Sequence, residues 1–111
     1  MPIYNKLVRD SIPKIISESG KKAICHNLSH KEYIEELDRK LNEEVAEYQA
    51  DKSIDELADI LEVIHAIVEA RGYSITELEK VRSEKAEKRG KFKDRIFLEK
   101  VEDWGNTSCL Q

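Results

Sequence analysis

The chain has 111 residues, of which 38% are charged and only 6% aromatic, with a net charge of -4. That length fits one domain with a real core. The mix disfavours a β-sandwich or barrel, a disulfide scaffold and a general nucleic-acid binder. No apolar run approaches the roughly 20 residues of a membrane span, and residues 1–10 show no signal-peptide core, so no membrane partner is expected. Cys25 and Cys109 are far apart, neither in a C-x-x-C pair, which points to a reduced, cytoplasmic chain with inert thiols.

The predicted elements are helices with clear punctuation. Asp10 or Ser11 caps a short helix carrying Pro13 in its first turn and ending near Gly20. Ala23–Leu28 reads as extended. Ser29 with Glu32 forms a capping box for a helix to about Ala50, and Ser53 with Glu56 a second box for a helix to Gly72. Ser74 with Glu77 opens a fourth helix ending near Gly90. The connections at 51–53 and 72–74 are short, so consecutive helices should run antiparallel. Arg95–Val101 reads as either a short strand or a helical turn. The expected fold is all-α: one domain over residues 1–111, an antiparallel bundle of about four helices.

Charge is segregated along the chain. Residues 1–22 carry five basic side chains against two acids, and residues 85–95 carry six against two. Between them, residues 32–62 hold twelve carboxylates against Arg39, Lys40 and Lys52. The ordinary reading of such runs is a solvated helix face.

Helical wheels refine that reading. In the second helix Ile34, Leu37, Leu41, Val45 and Tyr48 form the apolar stripe. Glu44 lies about 60° from its centre at 100° per residue, Glu47 at its edge, and Glu43 well away. The third helix is apolar over a wide arc: Leu57, Ile60, Leu61, Val63, Ile64, Ile67 and Val68. Its polar stripe is Glu62, His65 and Glu69. Glu56 falls inside the arc and Asp59 on its edge. A carboxylate aimed at a packed face needs a partner, because a buried unpaired charge is costly.

Two antiparallel helices would therefore each offer an i, i+3 acid pair, Glu44 with Glu47 and Glu56 with Asp59. Hard oxygen ligands without His or Cys suit Mg²⁺, or Mn²⁺. Mg²⁺ commonly takes remaining ligands from a phosphorylated substrate, which the basic flanks would help to hold. Lys85 and Arg89 share a face at i, i+4 ahead of Gly90 and could neutralise phosphate. Plainer accounts exist. Glu56 could serve only the Ser53 box, and Glu43 and Glu47 could be surface acids near Arg39 and Lys40. His26, His30 and His65 show no ligand spacing, and Tyr33, Tyr48 and Phe97 read as core.

Glu43-Glu44-x-x-Glu47 followed by Glu56-x-x-Asp59 resembles the E-E-x-x-E…E-x-x-D signature of the MazG-like, all-α nucleoside triphosphate pyrophosphohydrolases, an arrangement shared by phosphoribosyl-ATP pyrophosphohydrolases. The opening Tyr4-Asn5-Lys6-Leu7-Val8-Arg9-Asp10, with Ile12-Pro13 after it, is similar to the start of the small house-cleaning members. Lys85…Lys88-Arg89-Gly90-Lys91-Phe92 resembles their basic C-terminal motif. The likeness covers roughly residues 3–101. It implies that Glu44, Glu47, Glu56 and Asp59 bind Mg²⁺, with Glu43 a supporting acid. It also implies attack by water at the α–β phosphate linkage of a nucleotide, and a homo-oligomer with active sites near subunit interfaces. Two features depart from the pattern: only eight residues separate Glu47 from Glu56, and Lys91 stands where many relatives have a second Gly.

The expected mechanism is metal-assisted phosphoanhydride hydrolysis, with Glu47 or Glu43 activating water and Lys6, Arg9, Lys85 and Arg89 holding the triphosphate. The rival is a non-catalytic helical module whose acidic surface binds a basic partner. Glu56 and Asp59 lie off the outer polar stripe, which speaks against it.

Overall fold

The structure is a computed structural model that describes residues 3–103. Among the described residues it is all-α, with four helices and no strand. These are α1 (Ile12–Glu18), α2 (His30–Asp51), α3 (Ile54–Ala70) and α4 (Ile75–Arg89). The chain divides into two compact units, one through Ile75 and one from Thr76 on. No helix among the described residues is long and apolar enough to cross a membrane.

Local chemistry sets the helix ends. The Ser29 side chain accepts from Glu32 N–H at 3.2 Å, and Glu32 Oε1 accepts from Ser29 N–H at 3.0 Å, closing the first capping box. At the start of α1 the expected side-chain cap is not made: Ser11 makes no capping hydrogen bond. Instead Pro13 pre-sets the first turn, and Ile12 N–H donates to the Arg9 carbonyl at 3.1 Å.

The reversal between α2 and α3 takes only Lys52 and Ser53. Lys52 adopts the left-handed conformation at φ 60°, and its N–H donates to the Tyr48 carbonyl at 2.7 Å. This is the work usually given to glycine at a helix end. It answers the short Glu47–Glu56 spacing: one strained residue is enough to fold α3 straight back along α2.

The antiparallel α2–α3 hairpin is the heart of the first unit, and Arg71 Nη2 donates to Asp38 Oδ2 at 3.1 Å near its open end. Leu37, 3% exposed, and Val63, 8% exposed, form its buried apolar centre. The buried line on α2 runs through Leu37 and Glu44, while Val45, expected on the stripe, is exposed. The helix is thus rotated from the expected stripe, putting Glu44 into the seam. On α3 the apolar arc is only partly covered: Ile54, Leu57 and Leu61 face outward.

Two further expectations are corrected. Arg95–Val101 forms neither strand nor helix; among the described residues there is no second strand to complete a ladder with it. Phe97, read as core, is 88% exposed. Cys25 is an exposed free thiol, and Cys109 lies outside the described residues.

Candidate functional site

The site grows out of the hairpin seam. At the start of α3 only half of the second capping box forms. Ser53 Oγ accepts from Glu56 N–H at 3.3 Å, but the Glu56 carboxylate does not reach back as Glu32 does. The capping duty that could have accounted for Glu56 is therefore not performed by its side chain. One of its oxygens, Oε2, is instead buried without a hydrogen-bond partner.

Glu44 meets it from α2. Glu44 is 6% exposed, and its Oε2 is likewise buried and unpartnered. Ligand-capable oxygens of Glu44, Glu56 and Asp59 lie within 4.8 Å of one another, as do those of Glu43, Glu44 and Glu47. The two triads share Glu44, so all five acids singled out in the sequence converge on one end of the hairpin. None of the three histidines belongs to either group.

The electrostatics are those of crowded acids. Burial pushes the Glu44 carboxyl above the usual carboxylate range; the charge on Glu47 adds to this, and Lys40 opposes it. Burial also raises the Glu56 carboxyl, together with a hydrogen-bonding contact to the Glu47 carboxyl and the charges on Glu47, Asp59 and Glu44. Both acids gain from company of opposite sign.

Three cations supply part of it. Arg9 Nη2 donates to Asp59 Oδ1 at 2.7 Å, and Lys6 Nζ stands 3.7 Å from Glu43 Oε1. The third, Lys40, was seen in the sequence only as a surface neighbour. Its Nζ lies 3.2 Å from Glu43 Oε1 and 3.4 Å from Glu44 Oε1, with little of the side chain exposed. Burial works against its ammonium, but the hydrogen bond and charge of Glu43, with Glu44, outweigh that and raise its pKa. The signal was there: Lys40 precedes Glu43 and Glu44 by three and four residues, the spacings at which helical side chains meet.

Of the nine sequence-predicted site residues, seven gather here: Lys6, Arg9, Glu43, Glu44, Glu47, Glu56 and Asp59. Lys85 and Arg89 lie on α4 in the second unit, both exposed.

The donor set fits a hard divalent cation. All candidate ligand atoms are carboxylate oxygens, which suit Mg²⁺ and Mn²⁺ over Zn²⁺ or copper. Two buried oxygens lack any partner, and an ion would satisfy both.

Comparison with known proteins adds little about function. No protein-family model matches the chain. A segment of 45 residues is 51% identical to an uncharacterized protein of Mycolicibacterium smegmatis (strain ATCC 700084 / mc(2)155), covering 40% of this chain and 46% of that protein. The matched segment thus spans less than half of the relative's length. No solved structure matches.

Proposed function

We propose that the chain hydrolyses a nucleoside triphosphate between its α and β phosphates, giving a nucleoside monophosphate and pyrophosphate, with Mg²⁺ or Mn²⁺ as cofactor. The observation that carries this reading is the pair of buried, unpartnered oxygens, Glu44 Oε2 and Glu56 Oε2, inside a five-acid cluster flanked by cations. The resemblance of the acidic motifs to MazG-like pyrophosphohydrolases supplies the reaction type.

In this reading Glu44, Glu47, Glu56 and Asp59 hold the ion, which when bound would supply Lewis acidity toward a phosphoryl oxygen and a lower pKa for water. Glu47, exposed at the rim, or Glu43 accepts the proton of the attacking water. The water oxygen bonds to the α-phosphorus as its bond to the α–β bridging oxygen breaks, and that bond's electron pair leaves with pyrophosphate. Lys6, Arg9 and Lys40 exchange their carboxylate partners for phosphate oxygens and spread the developing charge. Lys85 and Arg89 enter from the motif alone.

A homo-oligomer in the cytoplasm belongs to the same proposal. Its physical support is α3, whose outward Ile54, Leu57 and Leu61 leave apolar surface for a second copy to cover. Incubation of the purified protein with a panel of common and modified nucleoside triphosphates and Mg²⁺, with chromatographic identification of products, tests the activity. Release of orthophosphate and diphosphate alone would overturn the α–β assignment.

A further inference from the structure

The N-terminal residues 3–7 lie along α2 and form an open cleft of about 390 Å³ with it. Small-molecule sites start at about 300 Å³, so the cleft has room for a nucleoside-sized group. Tyr4, Asn5, Lys6, Lys40 and Glu43 are among its lining residues.

Three features give the cleft a direction. First, Lys40 and Glu43 line it and also belong to the carboxylate cluster, so cleft and cluster share a wall. Second, its two acids are already paired: Glu36 with Arg39, and Glu43 with Lys6 and Lys40. The cleft thus presents three cations, Lys6, Arg39 and Lys40, for which an anionic group can compete with Glu36, Glu43 and Glu44. Third, Tyr4 is 70% exposed although it lines the cleft, and Lys6 Nζ stands 5.8 Å from its ring centroid. With Lys6 over one face and most of the ring exposed, Tyr4 can offer its other face to a planar, electron-rich group with a phosphate attached. Asn5 adds an amide that can both donate and accept at the edge of such a group.

We infer that this cleft is the nucleoside subsite of the hydrolase proposed above, a reading that rests on that activity. The base stacks on Tyr4, and the phosphates run past Lys40 toward the five acids. Lys40 is then a phosphate-binding residue, held by Glu43 and Glu44 until a phosphate replaces them.

Titration calorimetry with Mg²⁺ tests this without turnover. The probes are α,β-methylene nucleoside triphosphates of the common bases and, lacking any nucleoside, tripolyphosphate. The wild-type chain should bind at least one nucleotide about tenfold more tightly than tripolyphosphate, the size expected of one stacked base. Tyr4→Ala should erase that difference and leave tripolyphosphate binding unchanged, while Tyr4→Phe should keep it. Lys40→Gln should weaken both probes together. A preference that survives in Tyr4→Ala, or no preference in the wild type, overturns the subsite and leaves the hydrolase reading standing. If neither probe binds while Mg²⁺ alone still raises the melting temperature, subsite and hydrolase readings both fall and only the metal site remains.

Discussion

Glu44→Gln isolates the feature on which the metal site depends. The change keeps shape and removes one charge from the centre of both triads. At separations up to 4.8 Å and an effective dielectric of about 20, each like-charge pair costs about 3 kcal/mol. The Lys40 contact at 3.4 Å offsets roughly one such pair, and shared protons relieve much of the remainder. The metal-free variant should therefore gain about 1–2 kcal/mol, a rise in melting temperature of about 4–8 °C for a chain this size. Lys40 keeps its 3.2 Å contact with Glu43, so no buried cation is orphaned. With millimolar Mg²⁺ the order should invert. An ion at about 100 times its dissociation constant stabilises the wild type by about 2.7 kcal/mol, and the variant should lose most of that. Melting curves of both proteins, with EDTA and with Mg²⁺, make the measurement. If Glu44→Gln destabilises the metal-free protein and keeps the full Mg²⁺ response, Glu44 is an ordinary buried acid and the reasoning fails.

Three other outcomes follow from the same structure. Glu44 and Glu56 have raised carboxyl pKa values, so between the ordinary value of 4.5 and those raised values the native state holds more protons than the unfolded one. Stability from these groups is present at low pH and lost as pH rises through that window; metal-free melting from pH 4.5 upward should show the loss, and Mg²⁺ stabilisation should grow over the same range because ligands must be deprotonated. A wild-type slope matching that of a Glu44→Gln, Glu56→Gln double variant would refute the assignment. Lys52→Gly relieves a left-handed non-glycine residue and should raise stability by about 0.5–1 kcal/mol in urea melts; a loss would mean that the Lys52 contacts with Gln49 and Tyr48 outweigh the strain. Light scattering at micromolar concentration should return at least twice the 12.9 kDa chain mass, and Leu57→Glu with Leu61→Glu should return the monomer; a wild-type monomer would refute the proposed assembly.

The sequence made the fold class legible because its helix stops are chemical. Ser29 and Ser53 before the long helices, and Gly20, Gly72 and Gly90 after three of them, mark the ends by cap and left-handed turn. The convergence of Glu44, Glu47, Glu56 and Asp59 was legible from helical period, because a short reversal sets the register of two antiparallel wheels; that of Glu43, which the wheel turns away from the stripe, was not. The rotation of α2 was not. Apolar count alone draws the stripe through Val45, whereas the buried seam includes Glu44. The Arg9–Asp59 ion pair was also invisible, since it joins residues 50 apart through a segment with no regular period. That pair makes Asp59→Asn a mixed test of metal and ion pair, and leaves Glu44 the cleaner probe. The second box misled because Ser-x-x-Glu spacing permits the reciprocal bond without requiring it: Ser53 accepts from Glu56 N–H, but one Glu56 carboxylate oxygen is buried without a partner instead.

The most direct test of the central claim is metal-dependent turnover resolved by product. With Mg²⁺ present, at least one nucleoside triphosphate should yield equal amounts of monophosphate and pyrophosphate, and EDTA or Glu44→Gln should reduce the rate by at least about a hundredfold. Turnover that is unchanged in EDTA, or no turnover across the full nucleotide panel, would contradict the account.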